Sequence, residues 1–149
     1  MNFSKTTEYS LRILGFMAIE DHKLYSAEVL NQNLDIPFRY LRKQLTRLTN
    51  DGFLISYRGK AGGYKIAKPL NEITLWDIVN ATGEDSLSHE CIFGFDSCAF
   101  GNKCALHYKW ANIQNAINDM LKNTTLEELK RTKPKRFTIQ HNLMLTKNV

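Results

Sequence analysis

In the first fifty residues, apolar side chains recur every three or four positions, which is the spacing of one face of an α-helix. The pattern predicts a mostly buried helix over residues 4–19, a short second helix over 26–30 and a third over 37–51. Ser4 and Ser26 are suited to cap the first two helices, because a serine oxygen accepts from the unpaired amides of a first turn. The second helix is expected to stop at the polar residues Asn31, Asn33 and Asp35. The third helix is expected to bury Phe38, Leu41, Leu45 and Leu48.

The hydrophobic period changes after the third helix. Residues 53–57 and 64–67 read as two short strands joined by a basic, glycine-rich turn, and therefore predict a β-hairpin. Residues 73–81 predict a fourth helix against the core. Three helices followed by a hairpin is the order of a winged helix-turn-helix domain. We therefore predict a mainly α fold with one small hairpin.

The second half of the chain begins with residues 84–103, which lack periodicity and read as a long loop. From about Cys104 the helical spacing returns over roughly five turns. This long helix carries an apolar stripe formed by Leu106, Trp110, Ile113, Ile117 and Met120. Residues 125–128 match a capping box and open a short final helix. We find no internal repeat.

The chain has 149 residues and a formal net charge of +5, which suits one domain with a polyanionic partner. Charged residues within the first twenty positions argue against a secretory signal, and the apolar runs are too short to span a bilayer. We expect a soluble cytoplasmic protein without membrane contact. In a reducing compartment, clustered cysteines favour metal binding or redox activity over structural disulfides.

Two basic patches predict binding to double-stranded DNA. The outward face of the third helix carries Arg39, Lys43 and Thr46, flanked by Arg42 and Arg47. The hairpin turn adds Arg58, Lys60, Gly62, Gly63 and Lys65. Such a helix fits the major groove, and glycines let the wing backbone approach a phosphate. Either patch alone is more often ordinary solvated surface, but together, in winged-helix order, they favour DNA binding.

All three cysteines of the chain, Cys91, Cys98 and Cys104, fall within seventeen residues that end at His107. Thiolates suit zinc or an iron–sulphur cluster, and His107 is the nearest fourth ligand. The spacing matches no standard zinc or ferredoxin motif. A redox-switching pair of Cys91 and Cys98, or thiols that merely pack, are the alternatives. An enzyme is not expected, since no nucleophile–base pair or phosphate-binding loop is present.

Several motifs resemble those of the IscR/NsrR-type winged-helix transcription regulators. They are Tyr9-Ser10-Leu11-Arg12, Ile36-Pro37-x-x-Tyr40-Leu41, Arg58-Gly59-Lys60-Ala61-Gly62-Gly63-Tyr64, the three cysteines and Thr125-Leu126-x-Glu128-Leu129. The resemblance covers nearly the whole chain and adds Tyr40 to the DNA-binding residues. It implies an iron–sulphur cluster, with [2Fe-2S] favoured and [4Fe-4S] possible. It also implies a regulator, most often a repressor, that senses nitric oxide, redox state or cluster supply.

The resemblance leaves the fourth ligand open between two branches of the family. Cys104-x-x-His107 is similar to the IscR branch, whereas Glu8 stands where NsrR proteins use an acidic ligand of the partner subunit. The family pairing of long helices implies a homodimer on a near-palindromic site, with the apolar stripe as its interface. A zinc-dependent or thiol-switch regulator is the alternative, and an adaptor that binds protein instead of DNA is the third.

These expectations divide the chain into four parts. Residues 1–82 form the winged-helix DNA-binding domain, and 83–104 the cysteine-containing loop. Residues 105–132 form the dimerisation helix and short C-terminal helix, and 133–149 a basic tail.

Overall fold

The computed structural model describes residues 3–84, 91–101 and 103–132. The described elements, in order, are α1 (Lys5–Ile19), α2 (Ala27–Leu34), α3 (Phe38–Asn50), β1 (Leu54–Tyr57), β2 (Gly63–Ile66), a 3-10 turn (Leu70–Glu72), α4 (Leu75–Ala81), α5 (His107–Asn123) and α6 (Leu126–Thr132). The prediction of a mainly α fold with a small hairpin is confirmed. The predicted basic tail lies outside the described residues, as does part of the cysteine-containing loop.

The helix starts follow the predicted caps. The hydroxyl oxygen of Ser4 accepts from the Thr7 amide at 3.3 Å, and that of Ser26 accepts from the Val29 amide at 3.2 Å. Each serine satisfies an amide that the helix itself leaves unpaired.

The predicted end of α2 at residue 30 is wrong, because the helix continues to Leu34. The side-chain amide of Asn33 donates to the Val29 carbonyl at 2.7 Å, and that of Asn31 donates to the Ile36 carbonyl at 2.7 Å. The Asn33 bond is made within α2 and the Asn31 bond reaches the connection to α3, so neither side chain ends the helix. Asp35, in the left-handed conformation with φ 51°, ends it.

The hairpin is antiparallel, with Leu54 opposite Ile66 and Tyr57 opposite Gly63. A third segment joins it, since the Tyr25 amide donates to the Tyr64 carbonyl at 2.9 Å and the Tyr64 amide donates back at 2.7 Å. The wing is therefore fixed to the α1–α2 connection.

The core is built from both ends of the described chain. Ile13, Leu14 and Leu45 are fully buried beside Ile78 of α4 and Leu126 of α6. Helix α6 packs mainly on α1. The winged-helix core thus includes the short C-terminal helix.

Helix α5 is attached at its C-terminal end. The Leu75 amide donates to the Thr124 carbonyl at 2.9 Å, and the Leu126 amide donates to the Ile73 carbonyl at 2.9 Å. Leu121 is buried at the same end. In the described part of the chain, no helix is both long and apolar enough to cross a membrane.

Candidate nucleic-acid interface and metal site

Helix α3 presents a cationic face to solvent. Arg39, Arg42 and Lys43 are exposed, and Tyr40 beside them is 57% exposed. The leucines of the opposite face, including Leu45, are buried in the core. Because the buried face fixes the rotation of the helix, these cations point away from the domain. They form an exposed helix face that can fit into a DNA major groove.

The prediction that Phe38 is buried is wrong, since 40% of its surface is exposed. Residues 37–40 are all exposed, so the first turn of α3 extends beyond the core. The guanidinium carbon of Arg42 lies 5.9 Å from the Phe38 ring centroid, close enough for a cation–π contact. Gln44 fills the buried face instead, and its side-chain oxygen accepts from the Ser10 hydroxyl at 3.4 Å.

Arg47 differs from the other predicted DNA-contacting cations of α3. It is half-buried, and its Nη2 donates to the Ala81 carbonyl at the end of α4, at 2.8 Å. Its Nε lies 3.7 Å from an Asp51 carboxylate oxygen. The guanidinium therefore joins α3 to α4 within the same domain, which the charge pattern alone did not indicate.

The wing carries Arg58 and Lys60 on its exposed tip, while Lys65 is half-buried on β2. Two glycines of the wing leave no room for a side chain. A Cβ on Gly62 would lie 2.1 Å from the Tyr57 carbonyl oxygen, and one on Gly63 would lie 2.5 Å from the Tyr25 carbonyl oxygen. Gly62 is therefore required by the turn of the wing itself, and Gly63 by the contact of the wing with the α1–α2 connection.

The cysteine segment, residues 91–101 and 103–106, consists of three successive turns. The carbonyl of each cysteine accepts from the amide three residues later: Gly94 at 2.7 Å, Gly101 at 3.2 Å and His107 at 3.0 Å. The turns share the pattern Cys-x-Phe-Gly at 91–94 and 98–101, followed by Cys-Ala-Leu-His at 104–107. The first two turns therefore share both a sequence motif and a backbone hydrogen bond, while the third keeps only the hydrogen bond.

The three cysteines are the least exposed residues of this segment. Each is half-buried, while every other described residue of the segment is exposed. Within the described residues the three thiols form no disulfide. All three line one cavity of about 460 Å³ together with His107 at the start of α5. The four predicted donors therefore lie around one cavity.

The cavity walls also include apolar side chains from the segment and from α5, among them Phe93, Phe100 and Trp110. In this arrangement, no three described His, Cys, Asp or Glu side chains are close enough together to hold one metal ion. The donors therefore surround a common space without converging on a single point. Helix α5 begins at His107, three residues after the predicted start, so Cys104 lies in the turn before it.

Glu8 is placed away from this cavity in the same chain. It lies in the first turn of α1, where Lys5 Nζ contacts its carboxylate at 2.7 Å. The hydrogen bond from Lys5 lowers the pKa of Glu8 below its ordinary value, so the carboxylate is charged at neutral pH.

The apolar stripe of α5 is only partly covered within one chain. Ile113 is 51% and Met120 52% exposed, and Leu106 is also exposed, while Trp110 and Ile117 are half-buried. Single exposed apolar residues are ordinary, but several on one helix mark a surface suited to a partner.

Comparison with known proteins gives the family. The sequence model of the Rrf2 family, which is described as an iron-dependent transcriptional regulator, matches residues 3–132. The chain is 34% identical over 100 residues to IscR of Pectobacterium atrosepticum, covering 67% of this chain and 60% of that one. It is 30% identical over 131 residues to NsrR of Oceanobacillus iheyensis, covering 87% of this chain and 89% of that one.

Solved structures agree on the fold. CymR, the global cysteine regulator of B. subtilis, aligns with a TM-score of 0.75 and 24% identity, over 90% of this chain and 99% of that chain. IscR of T. potens aligns with a TM-score of 0.67 and 22% identity, over 89% of each chain. The family match, the winged-helix order and the exposed cationic face of α3 lead to one conclusion: this chain belongs to the Rrf2 family and is a DNA-binding transcription regulator, not an enzyme.

Proposed function

We propose that this regulator acts as a homodimer on a near-palindromic DNA site, as a repressor whose DNA affinity is controlled by an iron–sulphur cluster. Cys91, Cys98 and Cys104 would hold the cluster. The observation that carries the proposal is one cavity lined by all three thiols and by residues of the N-terminal half of α5. The DNA-reading and sensing surfaces are then separate parts of one chain.

The donor set and the cavity fit a cluster. Three thiolates and one imidazole are ligands for iron–sulphur centres, and about 460 Å³ is within the range of cofactor sites. When bound, a cluster would supply a group whose charge and ligation change on oxidation or reaction with nitric oxide. His107 is supported as the fourth ligand, because it lines the cavity in the same chain as the thiols. Glu8 remains a ligand candidate only from the partner subunit.

The DNA contacts are proposed to come from the exposed cations of α3 and the wing tip. Arg39, Lys43 and Arg42, with Tyr40, would enter the major groove, while Arg58 and Lys60 contact phosphates. Lys65, Gly62 and Gly63 would place the wing backbone. Arg47 would act mainly by holding α3 to α4, since its guanidinium already bonds the Ala81 carbonyl.

The exposed part of the α5 stripe supports the homodimer. Two copies paired through Leu106, Trp110, Ile113, Ile117 and Met120 would cover apolar surface and present two α3 helices to successive half-sites. A palindromic operator follows from the twofold symmetry of such a pair.

The DNA proposal is tested with a duplex selected by the wild-type protein from a random-sequence library. We expect an inverted repeat, and we expect Lys43→Ala to weaken binding and to lower the salt slope by roughly one, since one phosphate or base-edge cation is lost. Lys122→Ala is the control: it removes the same charge from α5, where Lys122 lies over the Trp76 ring at 4.6 Å. Equal losses in both variants would contradict the assignment of α3 as the reading helix.

The cluster proposal is tested by anaerobic reconstitution with ferrous iron and sulphide, followed by visible absorption and metal analysis. We expect colour with stoichiometric iron and sulphide, and loss of both on Cys98→Ala. Separate His107→Ala and Glu8→Ala variants identify the fourth ligand through the change in spectrum. A colourless protein with stoichiometric zinc would favour the zinc-dependent alternative and leave the DNA proposal standing.

A further inference from the structure

The short stretch between α4 and the cysteine segment is hydrogen-bonded to two other helices, α1 and α3. We call residues 81–84 the exit segment. It begins at the last residue of α4, and its final residue, Glu84, precedes Cys91 by seven positions. It is one of the two routes along the chain from the thiols to the winged-helix core, and the other runs from Cys104 through α5 to α6.

Glu84 caps α1 from a distance of eighty residues in sequence. One carboxylate oxygen accepts from the Ser4 amide at 2.7 Å, and the other accepts from the Ser4 hydroxyl at 3.3 Å and from the Thr7 hydroxyl. A carboxylate at this position also interacts favourably with the positive end of the α1 dipole. The first turn of α1 is therefore held from outside the helix.

Thr82 lies against the same turn and offers the Thr7 hydroxyl a second acceptor, so that the single Thr7 proton is shared between Thr82 and Glu84. Its hydroxyl oxygen lies 2.7 Å from that of Thr7, which is fully buried, and it donates to the Val79 carbonyl at 2.6 Å. Because Thr7 is closed off from water, its hydroxyl depends on these protein partners.

Ala81 connects the exit segment to the DNA-reading helix. Its carbonyl accepts from Arg47 Nη2 at 2.8 Å, which ties the last turns of α3 to the end of α4. Helices α1 and α3 are themselves joined by the Ser10–Gln44 hydrogen bond. Within the exit segment, Ala81 thus contacts α3, while Thr82 and Glu84 contact α1.

We propose that Glu84 and Thr82 are positioning residues, and that their bonds to α1 make the orientation of α3 depend on the state of the cysteine segment. This inference rests on the proposed control of DNA affinity by a cluster at the three cysteines. The inference concerns one contact that is either made or broken. When the Glu84 carboxylate is bonded to Ser4 and Thr7, a change at the thiols is transmitted to α3. When this contact is broken, a change at the cysteine segment no longer affects the winged-helix domain.

The first experiment uses the full-length, cluster-free protein and amide hydrogen exchange. Glu84→Ala and Thr82→Val are expected to speed exchange in the first turn of α1 by roughly two- to thirtyfold, the range for removal of an N-cap acceptor. They are also expected to speed exchange in the last turn of α3, near Arg47. Glu20→Ala, at the other end of α1, is the matched control and is expected to leave both regions unchanged. Unchanged exchange in α3 would overturn the positioning role.

The second experiment measures DNA affinity with and without reconstituted iron and sulphide, on the duplex selected by the wild-type protein. Glu84→Ala is expected to bind as much iron and sulphide as the wild type, with the same absorption spectrum. The ratio of the two DNA affinities is expected to fall toward one, whereas Glu84→Gln, which keeps an acceptor for the Ser4 amide, restores part of it. A merely structural role would weaken both forms equally and preserve the ratio, and that result would overturn the inference.

The two experiments separate failure of the inference from failure of the proposed function. If the wild type takes up no iron, or binds DNA equally in both forms, cluster control is wrong. The exchange measurement on cluster-free protein then decides by itself whether the exit segment positions α3.

Discussion

The winged-helix head, which comprises residues 3–84 together with α6, and the cysteine segment are stabilised by different interactions. The head buries a continuous hydrophobic core, to which α1, α3, α4 and α6 all contribute. The cysteine segment has only backbone turns and three half-buried thiols around a cavity. The head is therefore stable through its own side chains, whereas the described residues of the cysteine segment are not part of that core, and under the proposed function the segment is stabilised by what its thiols bind. Because ligand binding to such a segment becomes part of its folding free energy, the difference suits a fixed reader joined to a responsive sensor.

The largest expected effect lies in the head. Leu126→Ala should lower the free energy of unfolding by about 2–5 kcal/mol, because it leaves a cavity where α6 meets the core. Denaturant unfolding of cluster-free protein measures the change. Val29→Ala, on the exposed side of α2, is the control and should stay within about 0.5 kcal/mol. Equal effects would mean that α6 is not part of the core.

The second prediction concerns the tyrosine that joins the wing to the head. Burial raises the pKa of Tyr25 from 10.0 to about 12, since its hydroxyl is removed from water. Between those values the unfolded chain ionises this group and the folded chain does not, so stability falls as pH rises. The loss amounts to roughly 3 kcal/mol at about 1.4 kcal/mol per pKa unit.

Tyr25→Phe is the test of that pH dependence. The stability difference between wild type and variant should be nearly constant below pH 10 and should shift in favour of the variant from pH 10 to 12. Parallel curves over this range would show that Tyr25 titrates normally in the folded protein.

A smaller loss is expected at the wing itself. Gly63→Ala places a Cβ at 2.5 Å from the Tyr25 carbonyl oxygen, at a backbone φ of +151°. We expect destabilisation by about 1–3 kcal/mol from the forced shift and the strained backbone. Gly15→Ala is the contrasting variant, because nothing lies within 4 Å of its added Cβ and helix propensity favours alanine by about 1 kcal/mol. Opposite signs in thermal unfolding are the expected result.

The same comparison explains how much the sequence predicts. Periodicity located α1, α3 and the hairpin, because each places apolar residues on one face of a shared core. It misplaced Phe38, since the pattern gives the face of a helix but not how far the core extends beneath it. It also ended α2 too early, because asparagine side chains that usually disrupt helices find backbone carbonyls here.

The candidate site was predictable by residue type more than by geometry. Three thiols and His107 were grouped by their spacing, and they do line one cavity. The internal bonds of Arg47 and Glu84 were not predictable, since each joins residues more than thirty positions apart. The two Cys-x-Phe-Gly motifs are visible in the sequence, but the turns that they form are not, because no helical or strand period marks them.

The smallest expected effect gives the most direct test of the comparison. Cys91→Ser with Cys104→Ser should change the unfolding free energy of cluster-free protein by less than about 0.5 kcal/mol, because neither thiol is part of the hydrophobic core. After anaerobic reconstitution the wild type should gain stability, as any ligand of the folded state confers, and the double variant should not. If the double variant instead lost as much stability as Leu126→Ala without iron, the cysteine segment would be a structural part of the head. If the cysteine segment is a sensor separate from the core, the gain in stability should depend on iron and sulphide and should appear only in the wild type.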